Sequence, residues 1–290
     1  MKYEIKHRYT GSIIYQDKAE SFSALVEAAV KARVSLDGAS LRSASLDNAS
    51  LDGASLVNAS LDGASLRSAS LRSANLDGAS LVSASLRSAS LVNASLDGAS
   101  LRYASLVNAS LRYASLDNAS LDGASLDGAS LDGASLVNAS LVNASLDGAS
   151  LRYASLRSAN LDGASLDDAS LDGASLDGAS LDGASLRYAS LVNASLRYAS
   201  LPAPAVVLLA NWGELTNELT ADLMEFDASS HPNREAFELW AKGGECPYVG
   251  VRVQRSANFK EKKELWGKGK TVGAYALMVR VLGEKTKGWN

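Results

Sequence analysis

The chain has one cysteine, Cys246, in 290 residues. That excludes an internal disulfide. With only two histidines, His7 and His231, it also leaves too few soft ligands for a structural zinc site. Aromatics make up 6% of the chain and proline only four residues. No apolar run approaches the roughly 18 residues of a membrane span, and the opening Met1-Lys2-Tyr3-Glu4-Ile5-Lys6 has no signal-peptide pattern. A soluble, cytoplasmic protein is expected. The net charge of −4 is mild and gives no reason to expect nucleic acid as a partner. There is no glycine loop of the phosphate- or dinucleotide-binding kind. Cys246 and His231 have no third residue to complete a nucleophilic site. No catalytic, cofactor, metal or small-molecule site is expected.

What is abundant is a single pattern. Leucine recurs at every fifth residue from Leu36 to Leu201, 34 times in one phase. Alanine stands two residues before each, except at the first, where Val34 replaces it. The residue between is serine except at Asn75 and Asn160. A period of five defines no helical stripe, because five steps of about 100° leave the leucines winding round the axis. It fails for a long strand too, since faces alternate with period two. The period divides as three plus two. In Ala44-Ser45-Leu46 alanine and leucine share the inner side of a short extended segment, and Asp47-Asn48 turns the chain. The second corner residue is Gly or Asn in most units, which suits the positive φ of a type II turn. The Arg-Ser and Arg-Tyr corners, such as Arg42-Ser43 and Arg102-Tyr103, are expected to turn without positive φ.

This pattern resembles the pentapeptide-repeat family, whose motif has a small residue two before a central Leu or Phe. The resemblance covers residues 34–203 and is specific because of its length and strict phase. It implies an all-β solenoid, a right-handed quadrilateral β-helix with four units per coil. The 34 units then make about 8.5 coils, a rod about 41 Å long at about 4.8 Å between strands. Leu36, Leu76, Leu116, Leu156 and Leu196 mark its continuous core. Burying one leucine gains roughly 1.5–3 kcal/mol, so only the stacked array is stable, not one coil.

Three domains follow. Residues 1–33 read as a small α/β cap, with strands at 2–8 and 12–16 joined at Thr10-Gly11 and a helix over 22–33. A cap is needed because a β-helix end exposes leucines and unpaired strand edges. Residues 34–203 are the array, which ends at Leu201-Pro202-Ala203-Pro204, where proline removes a ladder donor. Residues 204–290 form a mainly helical domain, with helices predicted at 214–228, 234–242, 257–266 and 271–283. It holds all four tryptophans, Trp212, Trp240, Trp266 and Trp289. Val206-Val207-Leu208-Leu209 is expected to lie over the last coil.

The corners also carry history. Units 85 residues apart, from Leu51 with Leu136 to Leu111 with Leu196, share eight of thirteen corner dipeptides. Asn75 and Asn160 are 85 apart as well. Seventeen units were duplicated, and the copy sits one side round because seventeen is not a multiple of four.

Quinolone-resistance members of the family resemble DNA in shape and charge and act on type II topoisomerases. The array here has 17 Asp and 10 Arg, a net of −7. That is one charge per about 6 Å, against about 1.7 Å for DNA. The nets of the four sides are −3, −2, −2 and 0. A DNA-mimicking modulator of gyrase is therefore the second choice. Asp77, Asp97 and Asp117 should stack in one acidic column, and Asp127, Asp147 and Asp167 in another. The five array tyrosines never occupy adjacent coils of one side, which argues against a platform for stacked bases. Rows of outward serine present a hydroxyl surface of the kind that ice binding would use.

The densest basic segment lies at 252–270. There Arg252, Arg255, Lys262, Lys263 and Trp266 are the candidate partner-binding residues, since aromatics and arginine dominate binding hot spots. The expected function is a non-enzymatic structural or protein-interaction scaffold. The rod acts as a rigid spacer, and the C-terminal domain supplies recognition of a protein partner or self-association.

Overall fold

The computed structural model describes residues 1–230 and 262–285, with positions 235, 238, 239 and 242 in between. The chain opens with an antiparallel hairpin, β1 (Lys2–Lys6) and β2 (Ile13–Lys18), with a bulge between Ile5 and Lys6. Helix α1 (Phe22–Lys31) follows. The Ser21 hydroxyl caps it by accepting from the Ala24 N–H at 3.0 Å. Arg33, at φ 58°, breaks the helix, and Val34 N–H returns to the Ala29 carbonyl at 2.9 Å. A hairpin and a helix are where the periodicity put them, with shifted ends: β1 and α1 each stop two residues earlier, and β2 starts one residue later and ends two later.

From residue 35 the chain is a stack of coils. Ser40 bridges Ser60 in parallel, Ser60 bridges Ser80, and the offset of 20 holds to Ser180 and Ser200. Twenty residues are four units, so each coil has four sides. We name them by their serine columns: first (Ser40 to Ser200, with Asn160), second (Ser45 to Ser185), third (Ser50 to Ser190) and fourth (Ser55 to Ser195, with Asn75). Ala and Leu point inward as their spacing requires. Leu36, Leu76, Leu116 and Leu156 are fully buried and Leu196 nearly so.

Almost every backbone donor has a fixed destination. In the unit Ser65-Leu66-Arg67-Ser68-Ala69, Ser65 N–H reaches back one coil to the Ala44 carbonyl at 2.9 Å. Leu66 and Ser68 reach forward to the Ser85 and Arg87 carbonyls at 2.7 and 2.9 Å. Ala69 N–H closes the turn on the Leu66 carbonyl at 3.1 Å. One backbone donor per unit is left over, the N–H of the first corner residue.

The second corner residue has positive φ at every corner from Gly38 to Tyr198, Ser43 (54°) and Tyr103 (58°) among them. The expectation that Arg-Ser and Arg-Tyr corners turn differently is therefore wrong. The ladder decides the turn. The second corner N–H must reach the next coil while the following Ala N–H folds back, and that geometry outweighs the cost of a left-handed serine or tyrosine, about 1–2 kcal/mol.

Both ends of the stack are closed by pairing. At the start, Ser40 N–H finds the Lys6 carbonyl at 2.7 Å and Arg8 N–H the Gly38 carbonyl at 2.7 Å. The Glu27 carboxylate, from α1, accepts the Ser50 N–H at 2.7 Å. Ile5, Leu25, Val26 and Ala29 cover the first leucines.

At the far end the pattern reappears once, slipped by one residue. Ala210-Asn211-Trp212 runs beside Ala189-Ser190-Leu191, with Asn211 bridging Ser190. Trp212 thus stands where a leucine would, 2% exposed, and its indole N–H bonds the Val207 carbonyl at 3.1 Å. The short helix α2 (Pro204–Val207) crosses the open end, where Val207 and Leu208 are buried. Helices α3 (Asn217–Ser230) and α4 (Ala274–Lys285) follow, α4 packing on both α2 and α3. They begin three residues later than the periodicity predicts and end two residues later. Of the predicted helix 257–266, the described part is a 3-10 turn, Lys263–Leu265. The predicted helix 234–242 lies mostly outside the described residues.

Candidate interaction surfaces

The leftover N–H explains the commonest corner residue. In each Asp corner, Asp stands first and its Oδ1 turns onto the next coil. Asp47 Oδ1 accepts the Ser65 hydroxyl at 2.5 Å and the Arg67 N–H at 3.0 Å. Asp77 does the same with Ser95 (2.6 Å) and Asp97 N–H (3.1 Å). Every aspartate in the first corner position, from Asp37 to Asp182, accepts the serine hydroxyl eighteen residues on. These carboxylates act as hooks between coils.

Their titration reflects this. Burial alone would raise the Asp37 carboxyl, but the Ser55 and Ser35 hydroxyls and the Val57 N–H outweigh it and hold it below its ordinary value. The Ser65 hydroxyl, with the Arg67 N–H and charge, lowers Asp47 against a smaller desolvation effect. At Asp132 burial is again overcome, by Arg152 and Ser150, and Asp132 in turn raises Arg152.

The two acidic columns stack as expected: Asp117 N–H bonds Asp97, and Asp167 N–H bonds Asp147 at 3.2 Å. One oxygen of each carboxylate is committed to the rod. No group of His, Cys, Asp or Glu among the described residues is placed to hold a metal ion. The serine rows are engaged in part: a hydroxyl eighteen residues after a first-corner Asp donates to it, as Ser95 does to Asp77 and Ser135 to Asp117. Asn75 and Asn160 replace serine differently, accepting the Asp77 and Asp162 N–H groups at 2.9 Å. Asn211 repeats this with Gly213 N–H at 2.9 Å.

Tyrosines at the corners lean along the rod. The Tyr103 ring lies so close over Gly123 that an added Cβ would sit 2.7 Å from it. Gly123 also has φ +64°, so glycine meets two demands there. Tyr113 and Tyr153 cover Gly133 and Gly173 in the same way. A shallow groove of about 530 Å³ ends the third side. It is walled by Asp168 and Tyr188 on one border and by Asp172 and Val192 on the other, and Asn211 closes it. Each side is thus a serine strip between the second corner residues before it and the first corner residues after it.

In the C-terminal region the expected cluster is not brought together among the described residues. Arg252, Arg255 and the Lys263 side chain lie outside them. Lys262 turns inward, its ammonium donating to Asn217 Oδ1 at 2.9 Å and lying near the Leu215 carbonyl. Trp266 is half-buried against the core. Asp222, 2% exposed, is held by Arg280 and by the Lys270 N–H at 2.6 Å. The Glu284 carboxylate accepts the Thr216 N–H and hydroxyl at 2.7 and 2.6 Å, just before α3. Gly269 passes so close to α3 that a Cβ would meet the Ala221 carbonyl oxygen at 2.1 Å. Burial lowers Lys285, whose ammonium bonds the Glu214 carbonyl.

Eight copies of the pentapeptide-repeat pattern match the chain in overlapping segments that together run from residue 35 to 201, more than half of it. The chain belongs to the pentapeptide-repeat family, whose members fold as right-handed quadrilateral β-helices and are generally non-enzymatic scaffolds. Among solved structures it is similar to HetL, a pentapeptide repeat protein involved in heterocyst differentiation regulation in the cyanobacterium Nostoc sp. strain PCC 7120. The identity is 35% over 59% of this chain and 84% of HetL, with TM-score 0.34. It is also similar to QnrB1, a plasmid-mediated fluoroquinolone resistance protein, at 19% identity over 59% and 94% of the two chains, TM-score 0.48. A pentapeptide repeat protein of the Arabidopsis thaliana thylakoid lumen is 31% identical over 32% of this chain and 65% of that one, TM-score 0.31. These superpositions add nothing about function. No curated protein matches.

Proposed function

We propose that the protein is a non-enzymatic, cytoplasmic scaffold in three parts: a cap (1–33), a rod (34–203) and a C-terminal region (204–290). In this reading the C-terminal region recognises a protein partner or self-associates. The observation that carries it is the continuity of the core. One cluster of buried apolar side chains runs from Ile5 through the leucines to Trp212 and Val281. Helices α3 and α4 are thereby fixed to the rod rather than tethered to it. A rod whose polar groups bond coil to coil suits a spacer, and a region of varied sequence at its end suits recognition.

The test is affinity capture with the intact chain and with Arg252→Glu/Arg255→Glu. A partner captured by the first and lost by the second, at unchanged thermal stability, supports the reading. Capture that survives this variant, or turnover of a substrate by the purified chain, would sink it. The gyrase-modulator alternative gains nothing from carboxylates committed between coils. Inhibition of supercoiling by the intact chain would restore it.

A further inference from the structure

The second side differs from the others in the order of its first-corner charges, which their net of −1 conceals. Its first corner residues run Asp47, Arg67, Arg87, Val107, Asp127, Asp147, Asp167, Arg187. Neighbours in this column are about 4.8 Å apart. Like charges therefore sit side by side, two arginines and then three aspartates. On each adjacent side one arginine is paired within the chain, Arg42 with Asp62 at 3.9 Å and Arg152 with Asp132 at 2.9 Å, while Arg102, Arg72 and Arg112 form no salt bridge among the described residues. Arg67 and Arg87 form no salt bridge among the described residues and are exposed; the Arg67 backbone N–H bonds Asp47, but its guanidinium acts on that carboxylate only through space. The aspartates use Oδ1 on the next coil's serine, as Asp147 does with Ser165; Asp127 also takes the Ser125 hydroxyl on Oδ2 at 3.2 Å, while Asp147 and Asp167 leave Oδ2 for an outside partner. The other border of this side is uncharged and includes Gly63, Tyr103, Gly123 and Gly163.

Reversed in direction and sign, this column nearly reproduces itself. We propose that two copies of the chain pack antiparallel through their second sides, with Ser105 of one copy against Ser125 of the other. A two-fold axis then sets Arg67 against Asp167, Arg87 against Asp147, and Asp47 against Arg187. Each contact occurs twice, as an isologous interface requires. Val107 faces Asp127 near the axis, and across the serine strip stands Tyr103, which is 61% exposed and of a residue type favoured at interface centres. The eight coils give a contact about 38 Å long. Pairing across the axis relieves repulsion that each rod carries alone and sets the register. This goes beyond the proposed function, which puts self-association in residues 204–290.

Sedimentation velocity on the full chain tests it. The wild type should be dimeric at low salt and shift toward monomer as salt rises. Arg67→Asp/Arg87→Asp, which removes no hook between coils, should be monomeric. Asp147→Arg/Asp167→Arg should be monomeric too. An equimolar mixture of the two variants should recover a 1:1 dimer, because one chain is then acidic along the side and the other basic. Arg72→Asp/Arg112→Asp, on the third side, changes net charge equally and should leave the dimer intact. A monomeric wild type at low salt overturns the proposal, as does a dimer that survives Arg67→Asp/Arg87→Asp. If the aspartate variant fails to fold by circular dichroism, the arginine variant and its third-side control still decide the matter.

Discussion

The rod and the C-terminal region solve one problem in opposite ways. Each must give every buried polar group a partner. The rod has one solution and repeats it. Short of the last coil, each Leu N–H, each second corner N–H and each first-corner Asp carboxylate finds its partner one coil away. The C-terminal region has a separate solution for each group: Arg280 for Asp222, Glu284 for Thr216, Val207 for the Trp212 indole. In the rod a residue is replaceable by whatever stands at the same point of another unit, provided its neighbour twenty residues away fits, as Gly123 fits Tyr103. Beyond residue 204 no second example exists to substitute.

The largest test of that contrast is in the core of the rod. Leu116→Asp would bury a carboxylate between coils that have no donor for it. We expect a loss of more than about 4 kcal/mol, seen as a fall in thermal midpoint or failure to fold. Leu41→Asp, beside the cap, should cost less because few coils lie beyond it. Equal and negligible losses at both sites would mean that the leucines are not one cooperative core.

Trp212→Ala probes the junction. It empties the place of a leucine with a side chain no other unit has, and should cost about 3–5 kcal/mol. Hydrogen exchange should rise first in α3 and α4, while coils near Leu76 stay protected. Uniform loss of protection along the chain would show that rod and end unfold as one unit.

A hook is worth less. Asp77→Ala removes acceptors from Ser95 and Asp97 N–H at a half-exposed corner, at a cost of about 1–2 kcal/mol by chemical denaturation. The pH dependence has a fixed sign. Asp37, Asp47 and Asp132 have folded-state pKa values below their unfolded ones. Their contribution is complete above the ordinary carboxylate range, near pH 4, and is lost as pH falls through the lowered values. The thermal midpoint should therefore drop on acidification, and less so in a variant with these three changed to Asn. An unchanged acid profile in that variant would remove the hooks from the account of stability.

The smallest effect runs the other way. Ser88 holds φ 57°, and Ser88→Gly relieves that strain. Thermal stability should rise by about 1 kcal/mol, less the entropy that glycine adds to the unfolded chain. A clear loss would mean that the corners are not interchangeable.

The rod was legible because five-residue spacing permits few structures and the leucines never slip. The corners were misread at Ser43 and Tyr103 because residue preference was weighed without the ladder that overrides it. The acidic columns were placed correctly, yet the role of each carboxylate was hidden, since a serine eighteen residues on means nothing until the coil length is known. Lys262 looked like part of an exposed basic patch because its segment is rich in lysine. Only the approach of residues 215–217 shows where the ammonium goes. The order of charge on the second side was open to reading, but summing the charges erased it.

The constraints along the rod act between residues twenty apart and do not depend on which side they occupy. Tyr103 requires glycine at 123, and Asp77 serves the N–H at 97, by separation alone. A copied block of any whole number of pentapeptides carries its satisfied pairs with it. New neighbours arise only at the seam. The 85-residue duplication, four coils and one unit long, was thus free to rotate every motif by a quarter turn. Growth in such a chain is limited by its grammar and not by its geometry. Length can drift in steps of five residues, while each step decides anew which surfaces face the same way.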